Sequence, residues 1–326
     1  MANIKVLLVG ATGETGSAIV QGLLASKDPK YDISALVRPG SMDKPAATSL
    51  KESGVKTIPG DVTGSQDDLV KALSGNDVVI SSMFPFTLDL DFVLADACKL
   101  AGVKRFVPCW WGPVLPRGRN ILGDKKWAIL DHIKKIGLPY TKIDVGWWQQ
   151  LTIPKLLSGR TDYMLLAFAP SNTLLGDGNV PSALTNKEDI GHYVARIIGD
   201  PRTLNQQVLA YTEVLTPNEQ MKISERISGE KIEPKYTSAE SIAETIESAE
   251  KDVAENPHDI PKIIRLVGAQ YQNSWGLQGD NTPENAKKLG YLLTSELYPD
   301  YQGIRFETLM KDVVEGKAKK IYEGRF

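Results

Sequence analysis

Residues 4–16 read Ile-Lys-Val-Leu-Leu-Val-Gly-Ala-Thr-Gly-Glu-Thr-Gly. The Val- and Leu-rich first half is the composition of a strand buried on both faces. It stops at Gly10, and Gly13 and Gly16 follow at three-residue spacing. A helical apolar pattern (Ala18, Ile19, Leu23) begins at once. The stretch therefore predicts strand, tight turn, helix. Gly10 lets the chain turn, Gly13 lets backbone approach a ligand, and Gly16 lets the helix pack closely on the sheet. Open N–H groups at the helix start favour an anion such as a pyrophosphate. A purely structural turn is the other reading of a glycine triplet; the strand before it and the helix after it favour a dinucleotide site. Glu14 suits the helix dipole but would repel a pyrophosphate, so its side chain is expected to point away.

The 326 residues suit one large or two modest domains. A formal net charge of −2 gives no footprint for nucleic acid. The two cysteines, Cys98 and Cys109, have no metal-ligand spacing, and His132, His192 and His258 are scattered. A reducing, cytoplasmic setting is expected. The run at 4–9 reads as the first strand and not as a leader, and no segment is apolar enough for a bilayer.

Further strands are expected at 33–38, 56–59, 77–82, 104–108 and 140–145, alternating with capped helices. This predicts a parallel, doubly wound sheet. The second strand ends in Arg38, where an NAD site places an acid. A guanidinium there suits a 2′-phosphate, and Lys44 could add a second charge. Asp61 and Val62 follow the third strand and border an adenine pocket. Ser81, Ser82 and Met83 follow the fourth and should pass under a cofactor, with Phe84 and Phe86 beyond them.

Ligands of open α/β sheets bind past the strand C-termini. Trp110 and Trp111 follow the fifth strand, Trp147 and Trp148 the sixth. They are either a ligand wall or packing, and an aromatic pocket is the reading favoured for the group, with one of each pair packed inward. Trp275 reads as a lid. Between the pairs, a helix at 124–136 carries an apolar stripe of Trp127, Ile129, Leu130, Ile133 and Ile136. Lys126 falls in the middle of the stripe and Lys125 at its edge. A lysine there must snorkel, pair or give up its charge, or it is a catalytic amine facing a cleft. Capping boxes are expected at Thr185–Glu188 and Thr216–Glu219, and the Lys-rich residues 317–320 read as a solvated helix face.

These motifs resemble the NmrA-like and isoflavone reductase-like family of atypical short-chain dehydrogenases, whose members include phenylcoumaran benzylic ether, pinoresinol-lariciresinol and isoflavone reductases. The resemblance rests on the glycine stretch, Leu-Val-Arg38-Pro, Gly60-Asp61-Val62, Asp77-Val-Val-Ile-Ser81, residues 101–108, Gly137-Leu-Pro-Tyr-Thr141, Gly176-Asp177-Gly178 and residues 186–190. The Tyr-x-x-x-Lys of ordinary short-chain dehydrogenases is absent: none of the eleven tyrosines has Lys at +4. In the reductase branch a lysine upstream of Gly-Ile-Pro-Tyr-Thr does the proton chemistry, and Lys126 occupies that position here. The plant Pro-Ser-Glu-Phe-Gly is replaced by Pro108-Cys-Trp-Trp-Gly112.

The resemblance implies a Rossmann-type α/β fold: an NADPH-binding domain at 1–155 and a smaller α/β substrate domain at 156–326, with residues near 185–215 able to return to the first. It implies NADPH held by Gly10, Thr12, Gly13, Glu14, Thr15, Gly16, Arg38, Lys44, Asp61, Val62, Ser81, Ser82, Met83 and Lys126. The substrate expected is a small aromatic or conjugated molecule of secondary metabolism, reduced with Lys126 as general acid/base. It would lie against Phe84, Phe86, Trp110, Trp111, Trp147, Trp148 and Trp275. No metal, nucleic acid or membrane is expected, and a homodimer is allowed for. The alternatives are an NADP(H) sensor without turnover and a quinone reductase.

Overall fold

The computed structural model describes residues 3–166 and 172–323. Its elements run β1 (Ile4–Val9), α1 (Glu14–Ala25), β2 (Tyr31–Val37), α2 (Pro45–Glu52), β3 (Lys56–Pro59), α3 (Gln66–Leu73) and β4 (Val78–Ser81). There follow α4 (Leu90–Leu100), β5 (Arg105–Val107), α5 (Ile121–Lys135), β6 (Thr141–Asp144), β7 (Trp147–Trp148), β8 (Thr173–Leu175) and β9 (Ser182–Thr185). Then come α6 (Asp189–Gly199), β10 (Gln206–Leu209), β11 (Glu213–Leu215), α7 (Pro217–Ser228), β12 (Lys235–Thr237), α8 (Ala239–Glu255) and α9 (Ile260–Tyr271). The described chain divides into two compact units: 1–111, 125–144 and 187–210 in the first, 112–124, 145–186 and 211–326 in the second. Among the described residues no helix is long and apolar enough to cross a membrane.

The first unit is built on a parallel sheet of order β3-β2-β1-β4-β5, with Val6 of β1 opposite Ile33 on one side and Val78 on the other. β6 continues it through a parallel bridge between Phe106 and Tyr140, and β10 pairs parallel to β6. This is a doubly wound sheet whose strand order reverses between β1 and β4. Val6, Leu7 and Leu8 are fully buried, as a central parallel strand requires.

Glycines set the closest approaches. At Gly10 φ is +83°, and an added Cβ would lie 2.2 Å from the Ser82 carbonyl oxygen. Helices α1 and α6 cross where neither chain has a side chain: a Cβ on Gly22 would lie 2.0 Å from the Gly191 carbonyl carbon, and one on Gly191 would lie 1.9 Å from the Ala18 carbonyl oxygen.

Several boundaries move from their expected places for local reasons. α5 starts at Ile121 because the Asn120 side chain accepts the N–H groups of Leu122 (2.8 Å) and Gly123 (3.2 Å). Thr185 is not the N-cap of α6: it ends β9 opposite Trp148, and α6 begins after Glu188 without a side-chain cap. The β-branched residue is taken by the sheet. The box at Thr216 and Glu219 is complete in both directions. Residues 317–320 lie beyond the last helix, which ends at Val314 before a left-handed Gly316 (φ +71°).

In the second unit β7 pairs parallel and β11 antiparallel to β9, and β8 pairs parallel to β12. After α9 the chain widens into a π-helical turn, Gln272–Leu277, which carries Trp275. Such turns recur at functional sites.

The α1–α6 contact gives the first prediction. Gly191→Ala should destabilise the protein by about 3 kcal/mol, because the obstructing atoms are backbone and cannot rotate away. Gly40→Ala, with nothing within 4 Å of its added Cβ, should be neutral. Urea unfolding of both variants checks the contrast, and equal effects would refute the close-packing account.

Candidate functional site

At the ends of β1 and β4 the first unit offers an anion cradle. Gly13 is the N-cap of α1 and supplies no side chain to its first turn. The Gly13 N–H closes on the Gly10 carbonyl at 3.0 Å. A Cβ on Gly16 would lie 2.1 Å from that same oxygen. These backbone contacts brace the turn, with Thr12 exposed and Thr15 buried beside it. Glu14 is drawn aside by Lys187, whose ammonium lies 3.3 Å from its carboxylate.

Arg38 stands exposed just past β2, and Lys44 is exposed at the start of α2. Asp61 accepts the Thr63 N–H (2.9 Å) and hydroxyl (2.8 Å). These bonds, with a smaller contribution from the Arg38 charge, hold its carboxyl below the usual range. Val62 is buried next to it. Past β4, the Ser81 carbonyl accepts the Trp111 indole N–H at 2.8 Å, and the Met83 carbonyl accepts the Cys109 thiol at 3.3 Å.

Behind these loops lies a buried cluster of charges and tryptophans. Lys126 is only 8% exposed, on the apolar stripe with Ile129, Leu130 and Ile133, and its ammonium is 6.0 Å from the Trp110 ring centre. Lys125 is different: it reaches outward to an ion pair with Asp89 at 2.6 Å. Trp110 packs edge-on against Trp127 at 5.4 Å. Between those rings lies a second lysine, Lys142 of β6, 4.4 Å from the Trp110 centre and 4.8 Å from Trp127. It is fully buried and ion-paired with the equally buried Asp144. Burial pulls the Lys142 ammonium down to about 8 against the opposing pull of Asp144, and the Lys126 charge adds to the lowering.

Asp91, at the start of α4, completes the cluster. One carboxylate oxygen accepts the Cys109 N–H at 2.9 Å, while the other is buried without a partner. Burial pushes Asp91 up to about 6, although the Cys109 amide and the Lys126 charge favour its anion. The Cys109 thiol is pushed up to about 12 by the same burial and by Asp91, so it is no nucleophile.

The aromatic residues separate by environment. Trp110 and Trp148 are packed, Trp148 against Tyr322 with ring centres 6.1 Å apart. Phe84 is exposed and leans on Phe86 at 5.3 Å. Trp147 and Trp275 line a cavity of about 250 Å³ whose lining residues all belong to the second unit. None of Phe84, Phe86, Trp110, Trp111 or Trp148 lines it.

Sequence reading missed Lys142, Asp144, Asp91 and the cavity residue Gln220. A signal existed for the first two: in a strand, residues two apart share a face, so a Lys-x-Asp in a buried strand pairs with itself. For Asp91 and Gln220 the sequence carries no comparable signal.

Known proteins share this architecture. The asnovolin J 5′,6′-dehydrogenase of Aspergillus novofumigatus is 43% identical over 315 residues, 96% of each chain. The phenylcoumaran benzylic ether reductase TP7 of Nicotiana tabacum is 30% identical over 311 residues, 91% of this chain and 94% of its own. A solved structure of AtPrR2 with NADP+ and (+)-pinoresinol superposes with a TM-score of 0.75 at 25% identity, covering 96% of this chain and 99% of that one. The profile of the NmrA-like family matches residues 2–304, and with that match the chain belongs to the NmrA-like family, among its isoflavone reductase-type oxidoreductases.

Proposed function

We propose that this protein is an NADPH-dependent oxidoreductase acting on a small aromatic or conjugated metabolite, with Lys126 as the proton donor and acceptor. The observation that carries the reading is the buried position of Lys126 beside Trp110, in the same unit as the glycine turn. A cationic side chain is rarely kept in such a place without pairing or function. The residues fit the cofactor. An uncapped helix start of twelve residues suits a pyrophosphate. The exposed Arg38 guanidinium suits a 2′-phosphate, where an acid would repel it. Lys44, Asp61, Val62 and the backbone of Ser81, Ser82 and Met83 would border the adenosine and the nicotinamide.

Bound NADPH would supply a hydride from its nicotinamide ring. Lys126 would donate a proton to the substrate oxygen on which negative charge develops, and in the oxidative direction it would take that proton back. The fungal relative is named a dehydrogenase and the plant relatives reductases; one proton-transfer lysine serves either direction. Trp110 supports the position of Lys126 through its ring face. Lys142 and Asp144 hold Trp110 and Trp127 in place from behind.

Arg38→Ala should weaken NADPH binding about 10- to 100-fold, the worth of a charge-assisted contact of roughly 1.5–3 kcal/mol, and leave NADH binding nearly unchanged. Equal losses for both cofactors in a titration would sink the assignment.

Lys126→Met, which keeps the apolar stem, should lower turnover about 10²- to 10⁴-fold and spare NADPH affinity. Lys125→Met should be mild, since its ion pair is exposed. The assay is loss of nicotinamide absorbance with a panel of enones, quinones, phenylpropanoids and sugar ketones. Tight NADPH binding with no turnover on any of them would favour the sensor.

Asp91 sets a pH dependence beside Lys126. Its folded-state value of about 6 is above the unfolded value, so the folded state binds the proton more tightly. Stability therefore falls as pH rises through the window from about 4 to 6, and the penalty is complete above it. Asp91→Asn should raise stability by up to about 3 kcal/mol at pH 7.5 and converge on wild type near pH 4. Denaturant titrations across that range check it; a constant difference would show that the carboxyl does not titrate there.

A further inference from the structure

The cavity of the second unit has an apolar, aromatic wall. Trp147 and Trp275 stack with ring centres 5.2 Å apart and planes 22° from parallel, and Tyr271 lies 6.1 Å from Trp147. Leu175 and Met221 complete the apolar side. Several polar groups in the lining are already engaged. The Gln150 amide donates to Asn186 at 2.9 Å, and the Ser182 hydroxyl accepts from Asn281 at 2.8 Å.

Gln220 stands apart, as does the buried, unpartnered indole N–H of Trp275. Gln220 sits on the cavity face of α7 and is only 6% exposed. Its backbone is satisfied, with its N–H on the Thr216 carbonyl at 3.1 Å and its carbonyl taking the Ser224 hydroxyl at 2.8 Å. Its side-chain amide makes no hydrogen bond to any described residue. An amide that opens into an apolar cavity with no protein partner is left for a ligand to pair, and leucine or methionine would serve the fold there as well. A primary amide offers both a donor and an acceptor, so it can pair with a hydroxyl or a carbonyl.

We infer that this cavity binds a flat, largely apolar ring system bearing one oxygen, and that the Gln220 amide recognises that oxygen. The inference deepens the oxidoreductase reading and rests on it for the ligand class. The wall is mostly apolar: a sugar would bring more hydroxyls than the Gln220 amide and the Trp275 indole N–H could pair. Ring faces pack against the Trp147–Trp275 side, and the amide fixes which end of the ring points toward α7. Gln220 is in this sense a specificity residue and touches no reacting atom.

The test is calorimetric titration of the full chain with 2-naphthol and with naphthalene, which differ by one hydroxyl. Wild type should bind 2-naphthol about 5- to 10-fold more tightly, the worth of one neutral hydrogen bond. Gln220→Leu should bind both alike, with naphthalene affinity held or improved, and its melting temperature should be equal to or above that of wild type. A glutamine that only supports the fold would give the opposite result: a lower melting temperature and an intact preference for 2-naphthol. Absence of heat with either compound, or a preference that survives Gln220→Leu, overturns the inference. A parallel NADPH titration separates the two readings. Failure to bind NADPH counts against the oxidoreductase while leaving the naphthol comparison intact, and NADPH binding with no discrimination at Gln220 counts against the cavity assignment alone.

Discussion

The contact on which the first unit depends is backbone against backbone at the C-terminal ends of β1 and β4. Gly10 lies so near the Ser82 carbonyl that a single added carbon would sit 2.2 Å from it. Two neighbouring parallel strands then end at one level, and the chain leaves β1 in a left-handed turn that only glycine adopts freely. Gly16 repeats the constraint on the helix side, against Gly10 itself. The start of α1, whose N-cap Gly13 has no side chain, is thereby set beside the strand ends. The same economy of side chains recurs at Gly22 and Gly191, which lets α6 lie against α1. The position of the cradle is a consequence of which residues lack a Cβ.

Charge burial is the second organising fact. Lys126, Lys142, Asp144 and Asp91 are all buried in one unit. Each would be costly alone, since moving an ion out of water loses several kcal/mol that only pairing restores. Lys142 and Asp144 neutralise one another, and the faces of Trp110 and Trp127 take up the remaining field. Asp91 responds differently: fully buried, it holds its proton more readily. Lys126 lies among these groups, with a like charge on one side and a titrating acid on the other. Its surroundings are set by neighbours from α4 and β6 that are distant in sequence.

That distance explains what the sequence could and could not disclose. The sheet was legible because parallel strands announce themselves as apolar runs, and β3 is found at the residues expected. The stripe of α5 was legible because helical periodicity is local: it puts Lys126 in the middle and Lys125 at the edge, and the structure buries the first and leaves the second on an exposed ion pair. The box at Thr216 was legible because both of its partners lie within four residues. The Thr185 pattern looked the same, yet a strand claimed it, and that competition is decided by the partner strands β7 and β11. Asp91 could not be read at all: its hydrogen-bond partner is the Cys109 backbone N–H, eighteen residues away.

The tryptophans show the same limit in a sharper form. Two consecutive residues in extended chain point to opposite faces. Trp147 and Trp148, which form β7, could therefore never act as a pair: one ring must turn inward if the other turns out. The structure splits this pair and Trp110-Trp111 alike, with Trp110 and Trp148 buried and Trp111 and Trp147 less so. Which member goes which way is set by the register of the neighbouring strand, as Trp147 opposite Leu184 and Trp148 opposite Thr185 illustrate. The inward member is not idle. Trp110 gives Lys142 and Lys126 a ring face in place of water, so a residue that packs still shapes the electrostatics of the site. A count of aromatic residues past the strand ends identifies the region where chemistry is concentrated; the pleat assigns each ring either to the wall or to the support behind it.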